Sequence, residues 1–164
     1  MKELQLIRHA KSSWERDVSD HERPLAPRGE RAAPEMGRRL AARNAVPERM
    51  VVSDAVRARR TAEAMAQAAG LSATALVEEP RLYTADAARV IEVARAQDDA
   101  LERLALVGHN PALAEAAEAL CGLGAGKVPT AAVIRIRFDV EHWRDIAAGG
   151  GECIDFDYPK KSAN

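Results

Sequence analysis

The sequence predicts an α/β fold, three layers deep around a mainly parallel central sheet, on two observations. Three apolar runs of strand length, "LQLI" (4–7), "MVVS" (50–53) and "LALVGH" (104–109), lack polar alternation, as strands buried on both faces do. Longer segments of helical character separate them, at 28–44, 55–70 and 86–97, and strands alternating with helices favour parallel pairing.

Taken in order, the first strand runs through 4–7 and meets Arg8-His9 at its end. The helical segment after it, "RGERAAPEMGRRLAARN", contains Pro34, which deletes a backbone hydrogen bond and clashes with the preceding turn; a late start or a kink is expected there. In the third helical segment Ala87, Val90, Ile91 and Ala94 fall on one face. Asn110-Pro111 reads as a helix start, with Asn as the cap and Pro at the first helical position, and the helix should end near Gly122. Beyond Pro129 the pattern changes. "AAVIRIRFDV" (131–140) alternates, setting Val133, Arg135 and Arg137 opposite Ile134, Ile136 and Phe138. "CIDFDY" (153–158) alternates too, after the turn "AAGGGE", so the two should form an antiparallel hairpin at one side of the sheet. The tail "PKKSAN" is expected to fray. No repeat, linker or break in composition divides the chain, and one domain over 1–164 is expected.

A chain of 164 residues can bury a proper core, and 47% hydrophobic with 30% charged residues is not a disordered balance. The net charge of -1 excludes a nucleic-acid binder that works by bulk electrostatics, so any anion site must be built locally from arginines. No apolar run approaches the roughly 18 residues of a membrane span. Cys121 and Cys153 have no framework spacing, and "MKELQLIRHA" is not a signal peptide; a reduced, cytoplasmic protein with two free thiols is expected.

Ligands of open α/β sheets bind at the carboxyl ends of the strands. Here three strand ends are polar: Arg8-His9, Ser53-Asp54 leading to Arg57, and Gly108-His109-Asn110. If these strands are neighbours, two guanidiniums and two imidazoles converge. Guanidiniums clamp phosphoryl oxygens, often with two parallel bonds each. A neutral imidazole can attack phosphorus, and a second, protonated one can donate to a phosphoryl oxygen. The start of the helix after Asn110 would turn its positive end to the same place. A lone histidine at a strand end is more often structural, so the inference rests on the four residues together. Arg59 and Arg60 read as a solvated helix face, and His21 and His142 as surface or structural residues. Neither cysteine is followed six residues on by arginine, the glycines of "CGLGAGKV" miss the P-loop pattern, and no His or Cys cluster suggests a metal. No metal or cofactor is expected.

The segments "LIRHAK", "SDAVRARRTAEAM" and "LVGHNPAL" resemble the histidine phosphatase superfamily, the phosphoglycerate-mutase-like group. With "DHERPLAPRG", "RLYTA", "VPTAAV", the Trp143 segment and "FDYPK", the resemblance narrows to its SixA-type phosphohistidine phosphatase branch and covers most of the chain. The resemblance implies a phosphoglycerate-mutase-like fold and His9 as a nucleophile that becomes phosphorylated. It makes Arg8, Arg57 and His109 the rest of the phosphate pocket, with Asp20 and Arg23 in a flanking loop; a plain loop salt bridge is the other reading of that pair.

The sequence departs from the wider superfamily at the general acid. Pro80 stands where many members carry a glutamate, with Glu78 and Glu79 just upstream, and neither fits the motif. An alkyl phosphate needs a proton for its alkoxide, whereas a protonated imidazole leaves readily. The expected activity is therefore metal-independent hydrolysis of phosphohistidine on a partner protein, such as a phosphotransfer domain. A small-molecule phosphomonoesterase and a non-catalytic phospho-ligand binding module are the alternatives.

Overall fold

The computed structural model describes residues 1–14, 17–124 and 126–161. The last three residues of the expected frayed tail lie outside the described residues. One six-stranded sheet carries β1 (Lys2–Arg8), β2 (Arg49–Val52), β3 (Leu76–Glu78), β4 (Arg103–Gly108), β5 (Val133–Phe138) and β6 (Gly151–Asp157) in the order β3-β2-β4-β1-β5-β6. The pairings from β3 to β1 are parallel, while β5 runs antiparallel to both β1 and β6. The hairpin at one side is thus present, and the sheet is mainly parallel as expected. β3 is a three-residue edge strand that the apolar pattern does not reveal, because Val77 and Glu78 are exposed.

Alternation along each strand separates two apolar layers. Leu4, Leu6, Leu104, Leu106, Ile134, Ile136 and Phe138 face α3 (Ala87–Arg95) and α4 (Ala112–Cys121). Ile7, Met50, Val52, Ala105, Val107 and Val133 face α1 (Pro27–Ala42) and α2 (Val56–Ala69). Both faces of β1 and β4 are covered, which is why their sequences read as continuous apolar runs. The α1 and α2 helices pack closely: a Cβ on Gly37 would stand 2.4 Å from the Met65 carbonyl oxygen, so only glycine allows that approach.

Two local expectations are corrected. Of the late start or kink expected around Pro34, the late start does not occur. Pro27 takes its first turn, where a missing N–H is harmless, and the helix continues through Pro34 to Ala42. Nor is Asn110 the cap of α4. Pro111 holds the cap position, and the Asn110 side-chain amide donates instead to the Val128 carbonyl at 3.0 Å. That carbonyl also accepts from the Arg8 guanidinium at 2.8 Å, so the loop before β5 is tied to the ends of both β1 and β4.

Candidate active site

The chain goes from β1 to β2 on one side, then returns to lay β4 between them, so the order of the strands reverses beside β1 and β4. The crevice at such a switch point is where α/β sheets hold ligands. Register does the rest. Arg8 pairs with Gly108, which sets His9 beside His109; their ring centroids are 5.2 Å apart. Arg57 arrives from the first turn of α2, buried at 6% exposure.

The turn that holds His9 is fastened by backbone and side chain. Its N–H donates to the Gly108 carbonyl at 3.0 Å, and its carbonyl accepts from Ala131 at 3.0 Å. The Ala10 N–H donates to Thr61 Oγ1 at 2.9 Å, and that hydroxyl donates to the Arg57 carbonyl at 2.7 Å. Thr61 is fully buried, and it links the His9 turn to the helix that carries Arg57.

Hydrogen bonding fixes the state of both imidazoles. His9 Nδ1 lies 2.8 Å from the Ala10 carbonyl, an acceptor only, so Nδ1 carries the proton and Nε2 keeps its lone pair. Burial, opposed by that bond and reinforced by His109, Arg57 and Arg8, lowers the His9 pKa to about 3, so the ring is neutral near pH 7. For His109, Nε2 lies 2.8 Å from Ser53 Oγ, a fully buried hydroxyl that accepts from the Ala55 N–H at 3.3 Å. His109 Nε2 is the acceptor within reach of the Ser53 proton, which places the His109 proton on Nδ1. Burial, then the nearby Arg57 charge, lowers the His109 pKa to about 4. In the unliganded site this buried imidazole beside guanidiniums is neutral, and it donates from Nδ1–H; the expectation of a protonated second histidine concerns the phosphoryl-bound state.

Three buried donors around His9 lack a partner: Arg8 Nε, Arg57 Nε and His109 Nδ1. Unpaired buried donors are costly, and three converging N–H groups suit a tetrahedral oxyanion. This arrangement can hold a phosphoryl group in front of a bare imidazole nitrogen.

The flanking loop closes on the same residues. Asp20, in a 3-10 turn over Asp20–Glu22, accepts from Arg57 Nη2 at 3.1 Å, Arg23 Nε at 3.1 Å and the Tyr83 hydroxyl at 2.6 Å. Its backbone carbonyl takes Arg57 Nη1 at 2.7 Å. The Tyr83 hydrogen bond, opposed by partial burial and reinforced by Arg57, lowers the Asp20 pKa to about 2. Arg23 reaches further to Ser12 Oγ at 2.7 Å, and its guanidinium lies over the Trp14 ring at 3.8 Å. The pair is thus a loop salt bridge that also grips Arg57.

Glu78 and Glu79 are engaged elsewhere. Glu78 pairs with Arg59 at 3.4 Å, and Glu79 holds Arg81 at 2.7 Å. Arg59 is therefore half of an ion pair, and Arg60 lies 3.9 Å from Glu63 on the exposed face of α2. Of the other histidines, His142 pairs with Asp99 at the surface. His21 does more than the sequence suggests: it meets Asp54 at 3.1 Å and the Tyr83 ring edge at 4.8 Å, at the rim of the site.

Tyr83, Ser53 and Thr61 are the site residues that sequence reasoning leaves out. Ser53 does stand at a polar strand end, but its partner is brought by β4. The ring of Tyr83 lies edge-on to His109 at 5.7 Å, and no spacing in the chain foretells that. No cluster of three or more His, Cys, Asp or Glu suited to a metal occurs among the described residues. Nor is any described helix long and apolar enough to cross a membrane.

A doubly wound sheet with two imidazoles and two guanidiniums at its switch point defines a phosphoryl-handling protein. Residues 4–87 match the model of the histidine phosphatase superfamily (branch 1), and the chain belongs to that superfamily, whose members are phosphatases. It is 35% identical to the uncharacterized protein Rv1276c of Mycobacterium tuberculosis, over 94% of this chain and 100% of that one. A solved structure from Nakamurella multipartitia, provisionally described as phosphohistidine phosphatase SixA, superposes with a TM-score of 0.84 at 25% identity, covering 98% of this chain and 97% of that chain. The mycobacterial glucosyl-3-phosphoglycerate phosphatase Rv2419c shares the fold, with a TM-score of 0.65 at 18% identity over 99% of this chain and 100% of that one.

Proposed function

We propose that this phosphatase hydrolyses phosphohistidine on a partner protein, such as a phosphotransfer domain, through a phospho-His9 intermediate. The observation that carries this reading is a pocket equipped for phosphoryl transfer in which, among the described residues, no carboxyl group stands ready to protonate an alkoxide. Its carboxylate, Asp20, is ionised near neutral pH and occupied by Arg57 and Arg23, and Glu78 and Glu79 are tied to other arginines. In the first step His9 Nε2 forms a bond to phosphorus as the substrate's N–P bond breaks, and the departing imidazole takes its proton from solvent. Water then attacks the phosphoryl group on His9, which releases inorganic phosphate and restores the Nε2 lone pair. Arg8, Arg57 and His109 donate to the equatorial oxygens and stabilise the charge that spreads over them.

Turnover of a phosphohistidine protein compared with a panel of phosphomonoesters tests the reading. Preference for the phosphoprotein supports it; preference for a monoester favours a small-molecule phosphatase, the alternative suggested by the fold shared with Rv2419c. His9→Ala should abolish turnover in a folded protein, and brief reaction with labelled donor should leave an acid-labile, base-stable phosphate on the wild type. A wild type that binds phosphate without turning substrate over would instead be a binding module. Since guanidiniums carry the charge work, EDTA should leave the rate unchanged. The free thiols of Cys121 and Cys153 suit a reducing compartment such as the cytoplasm.

A further inference from the structure

A cleft of about 540 Å³ borders Arg8 along the same carboxyl edge of the sheet, and neither His9 nor His109 lines it. Five cations line it: Arg8 at the end of β1, Lys11 just beyond, Arg28 in the first turn of α1, Lys127 before β5 and Lys160 after β6. No aspartate or glutamate lines it, and among the described residues none of the five makes a salt bridge. This is unusual in a chain of net charge -1 whose other arginines are mostly paired, Arg23, Arg39, Arg57, Arg81 and Arg135 among them. Uncompensated like charges repel one another, so their convergence favours an anionic occupant.

The walls between the cations are apolar or aromatic, including Ala32, Pro129, Tyr158 and Pro159. Three of the cations are lysines, point charges on flexible stems that suit dispersed carboxylates rather than one phosphate needing a rigid fork. Arg8 borders both this cleft and the phosphate pocket, so a chain attached to a phosphoryl group at His9 can run directly into it. We propose that the cleft binds an acidic peptide segment of the phosphoprotein substrate, carboxylates on the cations and aliphatic side chains on the apolar walls. The inference rests on the reading of the substrate as a protein.

The test uses two phosphohistidine peptides of one length, one flanked by glutamates and one by glutamines, with wild type and an Arg28→Gln/Lys127→Gln/Lys160→Gln variant. The wild type should favour the acidic peptide in kcat/KM by about ten-fold, through KM, and raising salt to about 0.5 M should shrink that preference. In the variant the preference should fall to within about two-fold. Equal use of both peptides by the wild type, or a preference unchanged in the variant, overturns the proposal while leaving phosphohistidine hydrolysis standing. A second arm does not depend on turnover: anisotropy of a dye-labelled, unphosphorylated glutamate-rich peptide with each protein. Binding by the wild type that the variant loses supports the cleft even if neither peptide is hydrolysed. Absence of peptide binding, or binding of inorganic polyphosphate alone, overturns it.

Discussion

Ser53 shows how one buried hydroxyl can set the chemistry of a neighbour: it takes a backbone N–H on one side and gives its proton to His109 on the other. Ser53→Ala frees His109 to adopt either tautomer, and kcat should fall by about ten-fold, the order of one lost buried hydrogen bond. Ser53→Thr should restore much of the rate, which separates positioning from packing; wild-type kcat in the alanine variant would refute the role. Protonation gives a second residue-scale prediction. His9 and His109 have pKa values of about 3 and 4 in the folded protein, against about 6.5 when unfolded. Between those limits the unfolded chain binds more protons, so stability should fall as pH drops from about 6.5 towards 4. A melting curve series for His9→Gln should show a shallower loss across that window. Asp20 acts in the same direction in a lower window: its depressed pKa stabilises the fold above about 4, and that support is lost as pH falls towards 2.

Among the elements, α2 has the most to coordinate. Its first turn delivers Arg57, its second delivers Thr61 to the His9 turn, and its third, at Met65, lies against Gly37 of α1. Thr61→Val keeps the shape but leaves the Ala10 N–H buried without an acceptor, at a cost of about 1–3 kcal/mol. Activity should fall with stability there, because the turn that loosens holds His9, the proposed nucleophile. Gly37→Ala should cost about 1–3 kcal/mol through overpacking. Since Gly37 is remote from the phosphate pocket, chemical denaturation should show the loss. A Gly37→Ala protein as stable as wild type would mean that the helices can part without penalty. These contacts explain why α1 tolerates Pro34: tertiary packing outweighs the hydrogen bond that proline removes.

For the molecule as a whole, the layers are joined at the edge as well as through the sheet. Asp157 at the end of β6 is 2% exposed and meets Arg39 at 3.2 Å and Arg43 at 2.6 Å, both from α1. Asp157→Ala removes the carboxylate partner of Arg43 and leaves Arg39 with Glu35 and two backbone carbonyls, and should cost about 1–3 kcal/mol, visible as a fall in melting temperature. By itself the sequence determined the three long apolar strands, the four helices and the closing hairpin, because burial on one or two faces leaves a periodic record in the chain. It also marked which strand ends carry the candidate residues, since Arg8-His9, Arg57 and His109 occur together at or just after the ends of apolar runs. Tertiary structure alone decided that β4 inserts between β1 and β2, which brings His109 to His9 and Ser53 to His109. It alone assigned Asp20 and Tyr83 to Arg57, withdrew Glu78 and Glu79, and gathered five cations, unpaired among the described residues, from separate segments into one cleft. Such contacts join residues tens of positions apart, and strand order and register, rather than local spacing, create them.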